Sequence, residues 1–265
     1  MRPHDAEHCR SLPLFADMSA ETFRNVIAGA YMQRFPANTL LLLEGDAADF
    51  LYVLLEGQVE LHGAWNDQET VLSVLRPVST FILAALVLDC DALMSARTLD
   101  RCEILMIPGD AIRKAMSDDA RFGMAVSRDL AGGYRTMVRA VKNQKLRNGV
   151  ERLANHLVTL HASEPSLDGV SVLLQHEKRV LASLLGMTPE NLSRAFAALR
   201  AYGVEVRGAH VTLTNVNALV GLAKPDSLID NHAPHTAEVV TNADAEIWST
   251  QAARAAAARR TKRRA

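Results

Sequence analysis

Glu190, Ser193 and Arg194 stand three and four residues apart, the spacing that brings side chains onto one face of an α-helix. Their types form a hydrogen-bonding set for base edges in a DNA groove. Arginine can bind guanine O6 and N7 with two N–H groups, glutamate can accept from cytosine N4, and serine can reach either strand or a thymine methyl. Thr188 and Asn191 flank the same patch, so the chemistry expected here is non-covalent readout of double-stranded DNA. No P-loop, G-x-S-x-G elbow, H-E-x-x-H motif or placeable acid pair occurs, and an enzyme is not expected.

The elements that must hold this patch are legible around it. Leu181–Arg200 reads as two short amphipathic helices separated by a turn at Gly186. Thr188 suits an N-cap, because its hydroxyl can accept a free backbone N–H, and Pro189 suits the first helical position, where no N–H is needed. From that start Leu192, Phe196 and Leu199 fall on the face opposite the polar patch. Downstream, Val204–Arg207 and His210–Leu213 alternate about a Gly208-Ala209 turn, which predicts a hairpin wing whose Arg207 and His210 are available to phosphate.

Upstream the pattern is different. Between 12 and 108, short apolar runs at 39–46, 50–57, 59–63, 70–75 and 102–107 alternate with turn signals, and they predict a small β-roll preceded by a helix at 19–30. From 118 the period becomes helical to about 162, with a break at Asn148-Gly149. Leu130, Tyr134, Met137 and Val141 recur at spacings of four, three and four, the seam of a coiled coil, which predicts a homodimer. Gly132 and Gly133 weaken that helix by roughly 1 kcal/mol each relative to alanine. A loop is expected at 163–169 and a strand at 170–174.

At 265 residues, 49% hydrophobic and 22% charged, the chain fits a folded protein of two modest domains, with a net charge of −1. No apolar run approaches the roughly 20 residues that span a bilayer, and the first ten residues lack an apolar signal core, so a cytoplasmic protein without membrane contact is expected. Three cysteines, at 9, 90 and 102, make neither an even disulfide set nor a metal clip. Residues 232–265 carry six basic side chains against three acidic ones, a composition expected to be disordered and attracted to phosphate.

The order β-roll, long helix, winged helix-turn-helix resembles the CRP/FNR family of bacterial transcription regulators over about residues 12–225. The turns Glu44-Gly-Asp46 and Leu55-Glu-Gly57 resemble those of cyclic-nucleotide-binding domains. The resemblance implies an α+β chain with a cyclic-nucleotide-binding-like sensor at 12–118, a dimerisation helix at 119–146 and a winged helix-turn-helix at 147–225. It also implies palindromic DNA, a second copy and RNA polymerase as partners. Glu190, Ser193 and Arg194 match the E-x-x-S-R pattern of the FNR branch, which implies a TTGAT half-site, with Glu190 and Arg194 at the G·C pair and Ser193 near a thymine. Pro189 departs from the usual residue before the glutamate.

The same resemblance frames the effector. Cyclic-nucleotide binders carry a G-E pair for the ribose and an R-S pair for the phosphate. An ungapped match places Leu83-Ala84 and Met94-Ser95 there, with Met137 near the adenine position, so the expected effector site (Leu83, Ala84, Met94, Ser95, Met137) lacks both charged anchors. An anionic phosphate desolvated in such a site gains little in return, which argues against cAMP. Three thiols argue against the four-cysteine iron-sulfur cluster of oxygen-sensing relatives. Cys90 and Cys102 are expected to be buried or half-buried.

The segments 81–85, 93–97 and 142–147 are most similar to the NNR/DNR branch, which responds to nitric oxide and controls denitrification. That branch allows haem, although no axial ligand or metal is assigned; His62 is a lone candidate expected at the surface. A FixK-like regulator without a small effector, governed by abundance or cysteine oxidation, is the alternative in the same fold. A small-ligand-binding protein whose C-terminal domain mediates protein contacts is the alternative of another class.

Overall fold

The structure, a computed structural model, describes residue 6 and residues 9–66, 68–163 and 170–230. The basic tail expected at 232–265 and most of the loop expected at 163–169 lie outside the described residues. The chain divides into two compact units: one runs up to Arg135 and adds His176–Ser193, and the other holds Thr136–Gln175 and the residues from Arg194 onward. The borders expected at 118/119 and 146/147 therefore do not coincide with the compact units.

The first unit is built on two antiparallel four-stranded sheets. Strands β1 (Tyr31–Phe35), β8 (Cys102–Pro108), β3 (Phe50–Glu56) and β6 (Ser79–Phe81) form one sheet; β2 (Leu40–Leu42), β7 (Ser95–Thr98), β4 (Val59–Trp65) and β5 (Gln68–Leu75) form the other. The inner faces close on a cluster of Tyr52, Leu54, Val59, Leu61, Phe81, Ile82, Ala96 and Ile104. In it Tyr52 and Phe81 stack with ring centroids 4.9 Å apart. Large apolar side chains burying some 1.5–3 kcal/mol each fill this interior.

The outer face of the first sheet carries a second cluster under α1 (Ala20–Ala28), α2 (Leu83–Leu88), α3 (Gly109–Asp118) and the start of α4 (Ala120–Leu146). Phe15 stacks on Phe122 of α4, with centroids 6.1 Å apart. Asp119 fixes where α4 begins: its Oδ1 accepts from the Arg121 N–H at 3.0 Å and its Oδ2 from the Ser19 N–H at 2.7 Å. Ser19 in turn caps α1, accepting from the Thr22 N–H. Thr80 Oγ1 donates to Asp129 at 2.7 Å, tying β6 to the same helix. The sensor end of α4 is thus anchored by capping, packing and a side-chain bond.

The expected long helical stretch breaks where the sequence predicts, since α4 ends at Leu146 and α5 (Gly149–Ser163) starts three residues later. A reciprocal capping box makes the new start: the Glu151 N–H donates to Asn148 Oδ1 at 3.0 Å and the Asn148 N–H to Glu151 at 2.9 Å. Gly132 and Gly133 do not interrupt α4. In the second unit α5 packs on α8 (Val216–Ala223) and on a three-stranded antiparallel sheet of β9 (Ser171–Leu173), β11 (His210–Leu213) and β10 (Val204–Arg207). A short α9 (Ser227–Asp230) follows. Strands β1, β6 and β7 were not expected from the sequence; all three are short and are held in place by their partners.

Candidate nucleic-acid interface and effector site

The patch residues lie where the sequence places them. Helix α6 (Lys178–Leu184) ends in a turn in which the Gly186 N–H donates to Ser183 O and the Met187 N–H to Ala182 O. Gly186 has φ +61°, a left-handed conformation that glycine adopts without strain. Thr188 Oγ1 then accepts from the Asn191 N–H at 3.3 Å, and α7 (Pro189–Leu199) starts at Pro189. Along α7, Leu192, Ala195, Phe196 and Leu199 are buried. Glu190, Asn191, Ser193, Arg194 and Ala197 are exposed. The helix is amphipathic in the predicted register, with its polar face exposed.

Ser193 carries a further restriction. Its hydroxyl donates to the Pro189 carbonyl at 2.9 Å, four residues back. The proton is committed to the backbone, and what remains for a base is lone pairs and a Cβ. The wing forms as expected, with Arg207 paired to His210 across a turn whose Gly208 has φ +65°. Both side chains are exposed.

The effector residues expected in the roll have different surroundings. Met94 packs against the inner cluster of the roll, whereas Leu83 belongs to the outer cluster beneath the helices. Ala84 is exposed. Ser95 is buried with its hydroxyl accepting the Glu44 N–H at 2.9 Å. Met137 is exposed on the part of α4 that belongs to the second unit. Helix α2 starts at Leu83, directly after the left-handed Ile82, so successive residues there face opposite clusters. None of the five bears a cation, and the chemistry of this donor set does not fit a cyclic phosphate.

His62 corrects an expectation: it is 3% exposed, not at the surface, and its neighbour Glu60 is 1% exposed. Val59 and Leu61 of the same strand face the roll interior, so Glu60 and His62 face outward, and α6 packs on the neighbouring strand β5. Both residues and α6 belong to the first unit. Ser183 Oγ accepts the Val71 N–H at 2.6 Å, and Arg179 stands 3.8 Å from Glu60. Among the described residues Glu60 Oε2 and His62 Nδ1 have no hydrogen-bond partner. This contact between the roll and α6 is one that strand alternation could not supply. His62 faces away from the roll interior and does not fit an axial ligand for a haem held there.

The thiols are scattered. Cys9 lies in the outer cluster and Cys102 in the inner one. Burial, followed by the Asp100 carboxylate, pushes the Cys102 thiol up to about 11, so it is protonated at neutral pH. Cys90 is exposed, against expectation, because Asp89 ends α2 in a left-handed turn and Cys90 follows it out of the helix. Cys9 and Cys102 lie in separate clusters, so the three cysteines do not fit a shared iron-sulfur cluster. Among the described residues no group of three or more His, Cys, Asp or Glu side chains could hold a metal ion, and no helix is long and apolar enough to cross a membrane.

Residues 32–119 match the cyclic nucleotide-binding domain, and residues 151–222 match the Crp-like helix-turn-helix domain. The chain belongs to the CRP/FNR family of transcription regulators. It is 24% identical over 189 residues to a global nitrogen regulator of Nostoc sp., covering 68% of this chain and 85% of that protein. It is 22% identical over 194 residues to a CRP-like cAMP-activated global transcriptional regulator of Mycobacterium tuberculosis, covering 72% and 87%. Among solved structures FixK2 from Bradyrhizobium japonicum superposes with a TM-score of 0.63 at 18% identity, covering 74% of this chain and 98% of that one, a likeness of fold. As a CRP/FNR regulator this chain is a DNA-binding protein, and its exposed α7 face is the candidate interface.

Proposed function

We propose that this CRP/FNR regulator acts as a cytoplasmic homodimer that reads a palindrome of TTGAT half-sites and controls genes of nitrogen-oxide respiration in response to nitric oxide, without enzymatic activity. The observation that carries the DNA-reading part is the exposed Glu190, Ser193 and Arg194 triplet on α7. These residues match the FNR-type pattern, and Arg207 and His210 of the wing stand ready for phosphate. The exposed stripe on α4 supports the dimer, and RNA polymerase is the partner that the family implies. The nitric-oxide part rests on the resemblance of segments 81–85, 93–97 and 142–147 to the responsive branch, together with an apolar roll interior that offers no phosphate anchor. A FixK-like regulator without a small effector is the second reading; the stacked Tyr52 and Phe81 that fill the interior favour it.

The test is a titration of the full chain against a duplex carrying the palindrome and against a scrambled duplex, at several salt concentrations, with and without nitric oxide. Tighter binding to the palindrome, weakening steeply with salt, is expected. A response to nitric oxide supports the first reading. Equal binding with and without it transfers the regulator to the second. Equal affinity for palindrome and scrambled duplex removes sequence reading altogether and leaves the C-terminal domain a protein-contact module.

A further inference from the structure

The junction between α4 and α5 is tied down by a segment that lies after the matched helix-turn-helix domain, which ends at 222. Arg147, in the two-residue break between the helices, makes a fork with Asp230: Nη1 donates to Oδ1 at 2.5 Å and Nη2 to Oδ2 at 2.7 Å. Their side chains are only 7% and 6% exposed. Nη2 also donates to the Lys224 carbonyl at 3.1 Å and Nη1 to Asn143 Oδ1 at 3.1 Å. Asp230 Oδ2 accepts a second bond, from the Asp226 N–H at 2.7 Å. Lys142 Nζ reaches the Leu228 carbonyl at 3.4 Å, and Arg152 donates to the Arg147 carbonyl at 2.6 Å. Residues 142–152 and 224–230 are thereby joined into one body within the second unit.

The chemistry makes this joint stiff. Burial alone pushes the Asp230 carboxyl up, but the hydrogen bonds from Arg147 and the Asp226 N–H, with the guanidinium charge, outweigh it and hold the carboxyl below the usual carboxylate range. A bidentate guanidinium–carboxylate pair fixes both distance and plane, which a single point contact does not. Breaking it would leave a buried charge uncompensated. The body so joined also contains Met137, Val138 and Val141, the exposed apolar positions of α4.

We infer that Arg147 and Asp230 are positioning residues for DNA reading: they weld the Met137–Val141 part of the α4 stripe to the second unit, which carries Arg194, and so set the separation of half-sites that the dimer accepts. The inference rests on the dimeric, palindrome-reading function proposed above. Two readers held at a fixed angle to a common seam accept one centre-to-centre distance, near one helical turn of DNA. A loosened joint admits several.

The test uses the full chain and duplexes whose two half-sites are moved apart or together by one and two base pairs, with an isolated half-site alongside. For the wild type one separation is expected to bind at least tenfold better than its neighbours. Asp230→Asn keeps the shape and removes the charge; it is expected to bind that separation about tenfold more weakly, to flatten the preference among separations, and to leave half-site affinity unchanged. Asp230→Glu keeps the charge on a longer arm and is expected to retain a sharp preference, which guards against misfolding of the first variant. An unchanged separation profile in Asp230→Asn overturns the inference, as does an equal loss on half-site and palindrome, which marks a merely structural pair. A wild type that prefers no palindrome over scrambled DNA overturns the functional reading beneath it, and the inference with it.

Discussion

Arg194→Ala is expected to abolish discrimination between the palindrome and scrambled DNA while leaving the protein folded. Arg194 is exposed on α7, and the packing of that helix is carried by Leu192, Ala195, Phe196 and Leu199, so the substitution removes no core contact. A good bidentate arginine–guanine contact contributes about 1–3 kcal/mol. A dimer makes it twice, so the loss is about 2–6 kcal/mol, or roughly 30-fold to 10⁴-fold at about 1.4 kcal/mol per decade. Fluorescence anisotropy on labelled duplexes, with circular dichroism as the control for folding, measures it. Unchanged palindrome affinity would mean that α7 does not enter the groove. A uniform loss across all sequences with a shallower salt slope would make Arg194 a phosphate contact only.

The second large effect is expected from the stripe on α4. Tyr134, Met137 and Val141 are 71%, 59% and 49% exposed in a single chain, and with Val138 they follow the i, i+3, i+4, i+7 spacing of a seam. Leu130, the remaining seam residue, instead packs on the outer cluster of its own roll. The double variant Met137→Glu with Val141→Glu places four like charges in the interface of a dimer and disturbs nothing buried within one chain. It is expected to sediment as a monomer where the wild type sediments as a dimer. Loss of the linked second half-site should weaken palindrome binding on the order of 10²-fold to 10⁴-fold, since the second contact then no longer occurs at high effective concentration. A variant that stays dimeric would place the interface elsewhere.

The reader was the most legible part of the chain, because its information is local. A cap, a first-turn proline, a left-handed glycine and an amphipathic period all lie within residues 181–200, and each found its predicted place. The roll was legible where strands are apolar. It was not at β7, whose Ser-Ala-Arg-Thr sequence has one aliphatic side chain yet sits between β2 and β4, because its partners define it. His62 and Glu60 escaped for a related reason. They face away from Val59 and Leu61, but Arg179, which stands beside Glu60, lies more than a hundred residues later in the chain. The separation of Leu83 from Met94 was not legible, because Ile82 adopts a left-handed conformation that sequence does not signal, and the register of α2 follows from it. The Arg147–Asp230 pair joins residues 83 apart and has no periodic signature.

Two copies of α7 reading DNA as a symmetric pair should leave a signature in selection from a pool of random duplexes with the wild-type chain. Enrichment of TTGAT followed by its inverted repeat at one fixed separation is expected, with the G·C pair the most constrained position. A pool that stays random, or that enriches sequences without dyad symmetry, would contradict it.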